Sequence, residues 1–256
     1  MSVVISFINE KGGIGKTSVC FSTAWELSNN HKILMIDLDG QKANLTYFAG
    51  IDKIQERMTM SQVFQGSVEM KDIILPVKEN LDIVPGNVTV SELSQGAKVT
   101  RFRRSLEAVG DKYDYIFIDV NPTPNRSHLL ALSCSNYLII PMLPDIASLE
   151  ANNGIAESIE EVKETTNPNL NVLGLLFNKY NGRTNLSKEV MAVTQEMAKS
   201  LDTKVFDTKI RNAVVLSENV YNHEGITEYA PKSNAAEDYR KLAKEIEESI
   251  KEKESK

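Results

Sequence analysis

The sequence offers little for redox or metal-cluster chemistry. It has two cysteines, Cys20 and Cys134, in 256 residues, and no C-x-x-C pair that could clamp a zinc ion or an iron–sulfur cluster. Both lie in apolar stretches and read as reduced core residues, the pattern of a cytosolic protein. Long hydrophobic runs are also missing. No stretch reaches the roughly 20 apolar residues a bilayer crossing requires, and the chain opens almost at once on a β-branched run, so no secretory leader is expected. Basic residues are outnumbered, 29 lysines and arginines against 35 acids for a net charge of −6. That excludes a coat of positive potential and leaves any nucleic-acid contact to a local cluster, doubled by dimerisation. No repeat, low-complexity linker or break in composition divides the chain, so 1–256 reads as one domain with a substantial core.

What is present is a regular alternation. Strand-like runs fall at 3–8, 32–36, 81–84, 115–118, 137–141 and 172–177, and helical patterns at 17–29, 89–96, 99–110, 126–134, 147–165, 186–200, 213–221 and 235–252. Several of the strand runs are apolar throughout rather than alternating, as parallel strands covered on both faces are. The pattern predicts an α/β fold: a doubly wound, mostly parallel sheet flanked by helices. The segment 235–256 has Ala236, Tyr239, Leu242, Ala243, Ile246 and Ile250 at helical spacing. It reads as a helix docked on the body with a frayed, polar end.

Just after the first strand run stands Lys11-Gly12-Gly13-Ile14-Gly15-Lys16-Thr17-Ser18. The ordinary phosphate-binding loop has a glycine four residues before Gly-Lys-Thr; here Glu10 occupies that place and an additional lysine, Lys11, follows. The glycines let the backbone curl its N–H groups around an anion, and side chains at Gly12, Gly13 or Gly15 would narrow that nest. Lys16 can reach the β- and γ-phosphates, Thr17 can offer its hydroxyl to Mg²⁺, and the helix that follows adds a partial positive charge at its start. Residues 12–18 are therefore the candidate ATP-binding segment.

Two further strand runs end in acids. One finishes Ile36-Asp37-Leu38-Asp39-Gly40-Gln41, the other Ile118-Asp119, and ligands of such sheets bind at the strands' carboxyl ends. Of Asp37 and Asp39, one can hold Mg²⁺ through water and the other can orient a water for attack on the γ-phosphate. Asp119 is left for the ion, since Asn125 or Ser127 is the more natural cap of the next helix.

The set Lys-Gly-Gly-x-Gly-Lys-Thr, the Asp37-x-Asp39 pair with Gln41 and Asn44, and Asp119 together resemble the ParA/MinD superfamily of ATPases. The likeness runs from the first strand to the last helix. It departs at Gly40, where the family has proline, and at Val120-Asn121-Pro122-Thr123-Pro124, where it has Pro-Pro or a close variant. The resemblance implies that Lys11 crosses a dimer interface to the partner's phosphates, so that ATP binding and homodimer formation are coupled. It implies that Asp39 positions the attacking water and joins Thr17 and Asp119 around Mg²⁺. It also implies that Asn178 meets the adenine edge and that the segment holding Ile210 and Arg211 closes over the base.

The resemblance is to the short ParA/Soj-like partition proteins, without an operator-reading helix-turn-helix. They imply an ATP-dependent dimer on non-specific double-stranded DNA, nucleoid-associated in the cytoplasm and stimulated by a ParB-like centromere-binding or adaptor protein. Candidate DNA contacts are Lys188, Lys204, Lys209, Arg211 and Lys232; the arginine some relatives carry after Arg211-Asn212 is replaced by Ala213-Val214-Val215. A MinD-like positioning ATPase, or another cargo-positioning relative, is the alternative. The acidic tail, poor in large apolar groups, argues against a membrane-binding helix. Iron-protein reductases would need paired cluster cysteines, and regulatory kinases a tyrosine-rich tail; this chain has neither.

Overall fold

The computed structural model describes residues 2–39, 44–182 and 185–255, and of residues 91, 147, 150–153 and 185–188 the backbone. Gly40 and Gln41 of the family pattern lie outside the described residues, as does the Lys188 side chain. Among the described residues seven strands form one sheet: β1 (Val3–Phe7), β2 (Ile33–Leu38), β3 (Leu75–Lys78), β4 (Leu81–Val84), β5 (Tyr115–Val120), β6 (Tyr137–Met142) and β7 (Asn171–Phe177). Their order is β3-β4-β2-β5-β1-β6-β7. All pairings are parallel except that of the edge strand β3 with β4. The expected doubly wound, mostly parallel sheet is what forms.

Period-two geometry sorts each strand onto two cores. Val4, Leu34, Ile36, Leu38, Ile116, Ile118, Leu138 and Ile140 point to one face, under the helices Val99–Gly110, Arg126–Cys134 and Ile146–Thr165. Ile5, Phe7, Ile33, Met35, Phe117 and Ile139 point to the other, under Lys16–Leu27 and Asn234–Glu254. Because both faces are covered, both sets are apolar, which is why the strands read as continuous runs. The last helix belongs to that second core. Its Tyr239, Leu242, Ile246 and Ile250 are buried, and such leucines and isoleucines each contribute about 1.5–3 kcal/mol of hydrophobic stabilisation.

Several elements differ from the sequence reading. β2 and β5 run two residues further than expected and thereby include Asp37 and Asp119, which stand opposite each other in the register. The strand β3 escaped notice because Pro76 breaks its pattern, and an edge strand tolerates a missing N–H donor. The helix Met60–Gln65 is only six residues long, although its Thr59/Gln62 capping box is complete.

From β1 the chain moves outward to β2 and β4, then returns through β5 and crosses over to β6 and β7. The reversal centres on β1, so the crevice at its carboxyl end is where a ligand fits.

Candidate nucleotide site

The loop after β1 is held from both sides. Asn9 donates its side-chain amide to the Pro141 carbonyl at the end of β6 (2.8 Å) and accepts the Lys11 N–H (2.9 Å). From the end of β7, Asn178 donates to the Ile14 carbonyl (2.7 Å) and Lys179 to that of Gly13 (2.9 Å). Gly13 and Gly15 take positive φ, 75° and 88°, where a Cβ is strained. A Cβ on Gly15 would also strike the Asn178 amide, whereas one on Gly12 would meet nothing nearer than Pro122 at 3.9 Å. Gly15 starts the helix Lys16–Leu27 with no side-chain cap, so the first-turn N–H groups are left to an anion.

Three charged groups meet beneath the loop. The Lys16 side chain is nearly buried; burial pushes its ammonium down, against the pull of Asp119 and Asp39. The Thr17 hydroxyl donates to Asp119 Oδ2 at 2.7 Å, and buried Oδ1 has no hydrogen-bond partner among the described residues. Burial and the Asp37 charge hold the Asp119 carboxyl well above the ordinary carboxylate range, against Thr17 and Lys16. An unpartnered carboxylate oxygen beside a threonine hydroxyl is a donor set that suits a hard, oxygen-loving cation. Asp39 lines the same cavity.

Asp37 has another task. It accepts the Asp39 N–H (2.9 Å), the Thr46 N–H (2.8 Å) and the Thr46 hydroxyl (2.7 Å). Gly86 in turn donates to Thr46 Oγ1. Burial raises its carboxyl to about 6, against the hydrogen bonds of Thr46 and Asp39. Of the two acids the sequence left as alternatives here, Asp37 therefore ties the strand end to the next helix, and Asp39 is the one that faces the cavity.

The cavity holds about 450 Å³ and runs from Gly12–Ser18 past Asp39 to a wall of Phe48, Ala213, Leu216 and Val220. Asn178 and Arg211 line it as expected, but both are already engaged. The Asn178 carboxamide braces the loop through Ile14 and accepts the Lys179 N–H. Arg211 forms a two-pronged pair with Asp238 of the last helix (2.6 and 2.8 Å). Ile210 is fully buried in the core and acts through its backbone, which bonds to Phe177 and Tyr180. Lys11 lies outside the cavity: its ammonium rests on Asp145 (2.7 and 2.8 Å) and Ser148 Oγ (3.3 Å).

The sequence reading missed Asn9, Lys179 and Asp238, which position the site, and His128. That imidazole is buried, its Nε2 without a hydrogen-bond partner. Burial, then the Lys16 charge, lowers it to about 4. Its signal was faint, a lone histidine within a helical pattern.

Of the proposed DNA residues whose side chains are described, two lie beside acids. Lys204 sits 3.9 Å from Glu252 and Lys209 donates to the Asp207 carbonyl. Arg211 is neutralised by Asp238, and Lys232 is exposed.

This fold and loop define a P-loop nucleotide-hydrolase architecture. The AAA domain family matches residues 2–172. The chain is 31% identical to the sporulation initiation inhibitor protein Soj of Bacillus subtilis, over 96% of this chain and 98% of that one. It is 29% identical to the chromosome partitioning protein ParA of Caulobacter vibrioides, over 95% and 93%. Among solved structures, the septum site-determining protein MinD complexed with Mg-ADP from Pyrococcus horikoshii superposes with a TM-score of 0.78 at 25% identity, over 96% of each chain. McdA from Cyanothece shares the fold, with a TM-score of 0.85 at 20% identity over 98% of this chain and 100% of that one. The chain belongs to the ParA/MinD superfamily of ATPases, whose members serve partition or positioning.

Proposed function

We propose that this chain is a ParA-type partition ATPase in which ATP and Mg²⁺ close a homodimer that binds DNA without sequence preference. A ParB-like partner then stimulates hydrolysis and release. The observation that carries this reading is the divergence of the two loop lysines. Lys16 lines the phosphate cavity of its own chain, while Lys11 lies outside it, held by Asp145 and Ser148, and would have to leave that pair to reach a second copy. Within the site, the loop N–H groups and Lys16 would hold the phosphates, and the apolar wall of Phe48, Leu216 and Val220 suits a flat base. Thr17 and Asp119 would hold the ion, which supplies charge neutralisation of the phosphates. Asp39 would orient the attacking water.

A MinD-like membrane role is disfavoured by the last helix, whose apolar face is spent on the core. No helix among the described residues is long and apolar enough to cross a membrane. The test is a gel shift with random-sequence duplex in ATP, ADP and no nucleotide across a salt series, alongside Lys16→Ala and Asp39→Ala. Lys16→Ala should abolish ATP binding, and Asp39→Ala should bind ATP, stay dimeric and hydrolyse poorly. Absence of an ATP-dependent shift at low salt overturns partition, and an Asp39→Ala protein that remains monomeric with ATP overturns the role of Asp39.

A further inference from the structure

If the dimer holds DNA, some surface must offer phosphates a cluster of uncancelled positive charge, and of the residues expected from sequence Arg211 and Lys204 lie beside acids. The helix Asn234–Glu254, against which Arg211 and Lys204 lie, carries seven acids, Glu237, Asp238, Glu245, Glu247, Glu248, Glu252 and Glu254. Three of them neutralise Arg211, Lys204 and Lys241.

The opposite case stands on the other side of the sheet. The segment 98–104, Lys-Val-Thr-Arg-Phe-Arg-Arg, has four cations and no acid. Lys98 is the cap of the helix Val99–Gly110, and Lys98, Arg101, Arg103 and Arg104 are all exposed. None has a carboxylate within ion-pair distance among the described residues, although ion pairs occupy cations all over the remaining surface. Their charge is presented rather than neutralised. Arg103 donates to the Ser133 and Thr166 carbonyls (2.8 and 3.2 Å), and neighbouring Arg126 donates twice to the Ala97 carbonyl (3.0 and 2.8 Å). Carbonyls fix a guanidinium in place and leave its unit charge intact.

Lys98, Arg101 and Arg104 are three residues apart, neighbours on one helix face, and span about 9 Å. They form one wall of an open groove of about 1080 Å³. The facing wall is the turn at Gly66, against which the Arg101 guanidinium lies directly. Lys71 there is cancelled by Glu69 at 2.6 Å, so Asp72 across the groove and Glu107 one turn further on the helix are the acids that remain beside the row. Phe102 and Leu106, on the reverse of the same helix, are buried in the core, so the row is mounted on a rigid element.

We infer that the groove along Val99–Gly110 is the DNA-contact surface of this chain, with Lys98, Arg101 and Arg104 meeting successive phosphates of the duplex. The inference rests on the DNA-binding reading above and supplies its location. Phosphate contacts fix position without reading sequence, which is what a line of exposed cations outside any base-reading element can do. In a net-acidic protein, such a local row of cations favours binding at this face over the acidic surface elsewhere.

The experiment compares wild type, Arg101→Gln/Arg104→Gln and Arg104→Glu with Lys204→Ala/Lys232→Ala. Each is titrated with a fluorescent random-sequence duplex in ATP by anisotropy, at several salt concentrations, and DNA-free ATP hydrolysis is measured beside it. Arg104→Glu serves as the second variant because Arg104 is exposed and makes no side-chain hydrogen bond among the described residues whose loss could unfold the chain. Both groove variants should bind at least tenfold more weakly. Their log K against log salt should be shallower by about one for each phosphate contact removed, with DNA-free hydrolysis unchanged. Lys204→Ala/Lys232→Ala should bind as wild type does.

Groove variants that bind like wild type overturn the location while leaving DNA binding itself in place. A wild type that binds no duplex overturns both. Groove variants that keep DNA binding but lose stimulation by the partner protein assign the groove to an acidic protein surface instead, and also overturn the inference.

Discussion

Asp37 and Asp119 stand opposite each other in adjacent strands, both fully buried, and the chain treats them in opposite ways. Asp37 is saturated by three donors from Asp39 and Thr46. Asp119 receives one, from Thr17, and keeps an oxygen without a partner. A buried carboxylate left half-satisfied costs stability, so its persistence marks a site kept for something the chain does not itself supply. The saturated acid acts as architecture; the half-satisfied one suits the ion site proposed for it.

The comparison is broken or sharpened first by truncating each acid. Asp37→Ala leaves three buried donors without an acceptor, at about 1–3 kcal/mol each, partly offset by removing a carboxyl already raised by burial. The net loss should be about 3 kcal/mol, read by chemical denaturation. Asp119→Asn should leave the unliganded protein as stable as wild type or slightly more so, since it removes a buried charge next to Asp37. Its hydrolysis should nonetheless fall on the order of 100-fold, or about 2.7 kcal/mol, and its thermal stabilisation by Mg²⁺ with nucleotide should disappear. Were Asp37→Ala the mild variant and Asp119→Asn the unfolding one, the division would be reversed.

The same reasoning extends to His128, buried and without a partner at Nε2. Its folded pKa of about 4 lies below the usual 6.5, so the folded chain takes up this proton less readily than the unfolded one. The stability it lends is complete above pH 6.5 and is lost as pH falls toward 4. Between pH 6.5 and 5 that loss is about 2 kcal/mol. His128→Gln should flatten that part of the stability–pH curve relative to wild type. An unchanged slope would show that the imidazole is wetter and freer than its burial indicates.

Most of the site was legible in the sequence because its parts are local. The loop, Thr17, Asp39 and Asp119 each stand at the end of a strong strand pattern, and the cysteine count and the acidic tail weighed against the competing readings. What sequence could not give was contact at long range. Asn9 reaching Pro141, Lys179 reaching Gly13 and Asp238 claiming Arg211 join segments that nothing in local periodicity links. For the same reason Lys204 and Arg211 looked available for DNA: the acids beside them, Glu252 and Asp238, lie on the last helix. The short elements were lost to length, β3 because of its proline and Met60–Gln65 because six residues carry little periodicity.

The smallest effect probes the lysine that does not fit the rule. Lys11 is fully engaged by Asp145 and Ser148, which by the logic of Asp37 would make it architecture, yet the proposed function sends it to a partner's phosphates. Burial pushes the Asp145 carboxyl up, and the hydrogen bonds of Lys11 and Ser148 outweigh it and hold the group below its usual range. The pair is partly exposed, 24% and 38%, so it is worth a few tenths of a kcal/mol to about 1. Asp145→Asn removes the charge while Asn can still cap the helix that begins at Ile146. If Lys11 is merely parked, the variant frees two lysines per dimer and should tighten ATP-dependent dimerisation about fivefold, roughly 1 kcal/mol. Sedimentation at several protein concentrations reads that change, and the unliganded monomer should lose less than about 1 kcal/mol of stability. A larger loss of stability with unchanged dimerisation would place Lys11 with Asp37, as a strut that fixes the loop to the helix start, and would leave the phosphates of the dimer to Lys16 alone.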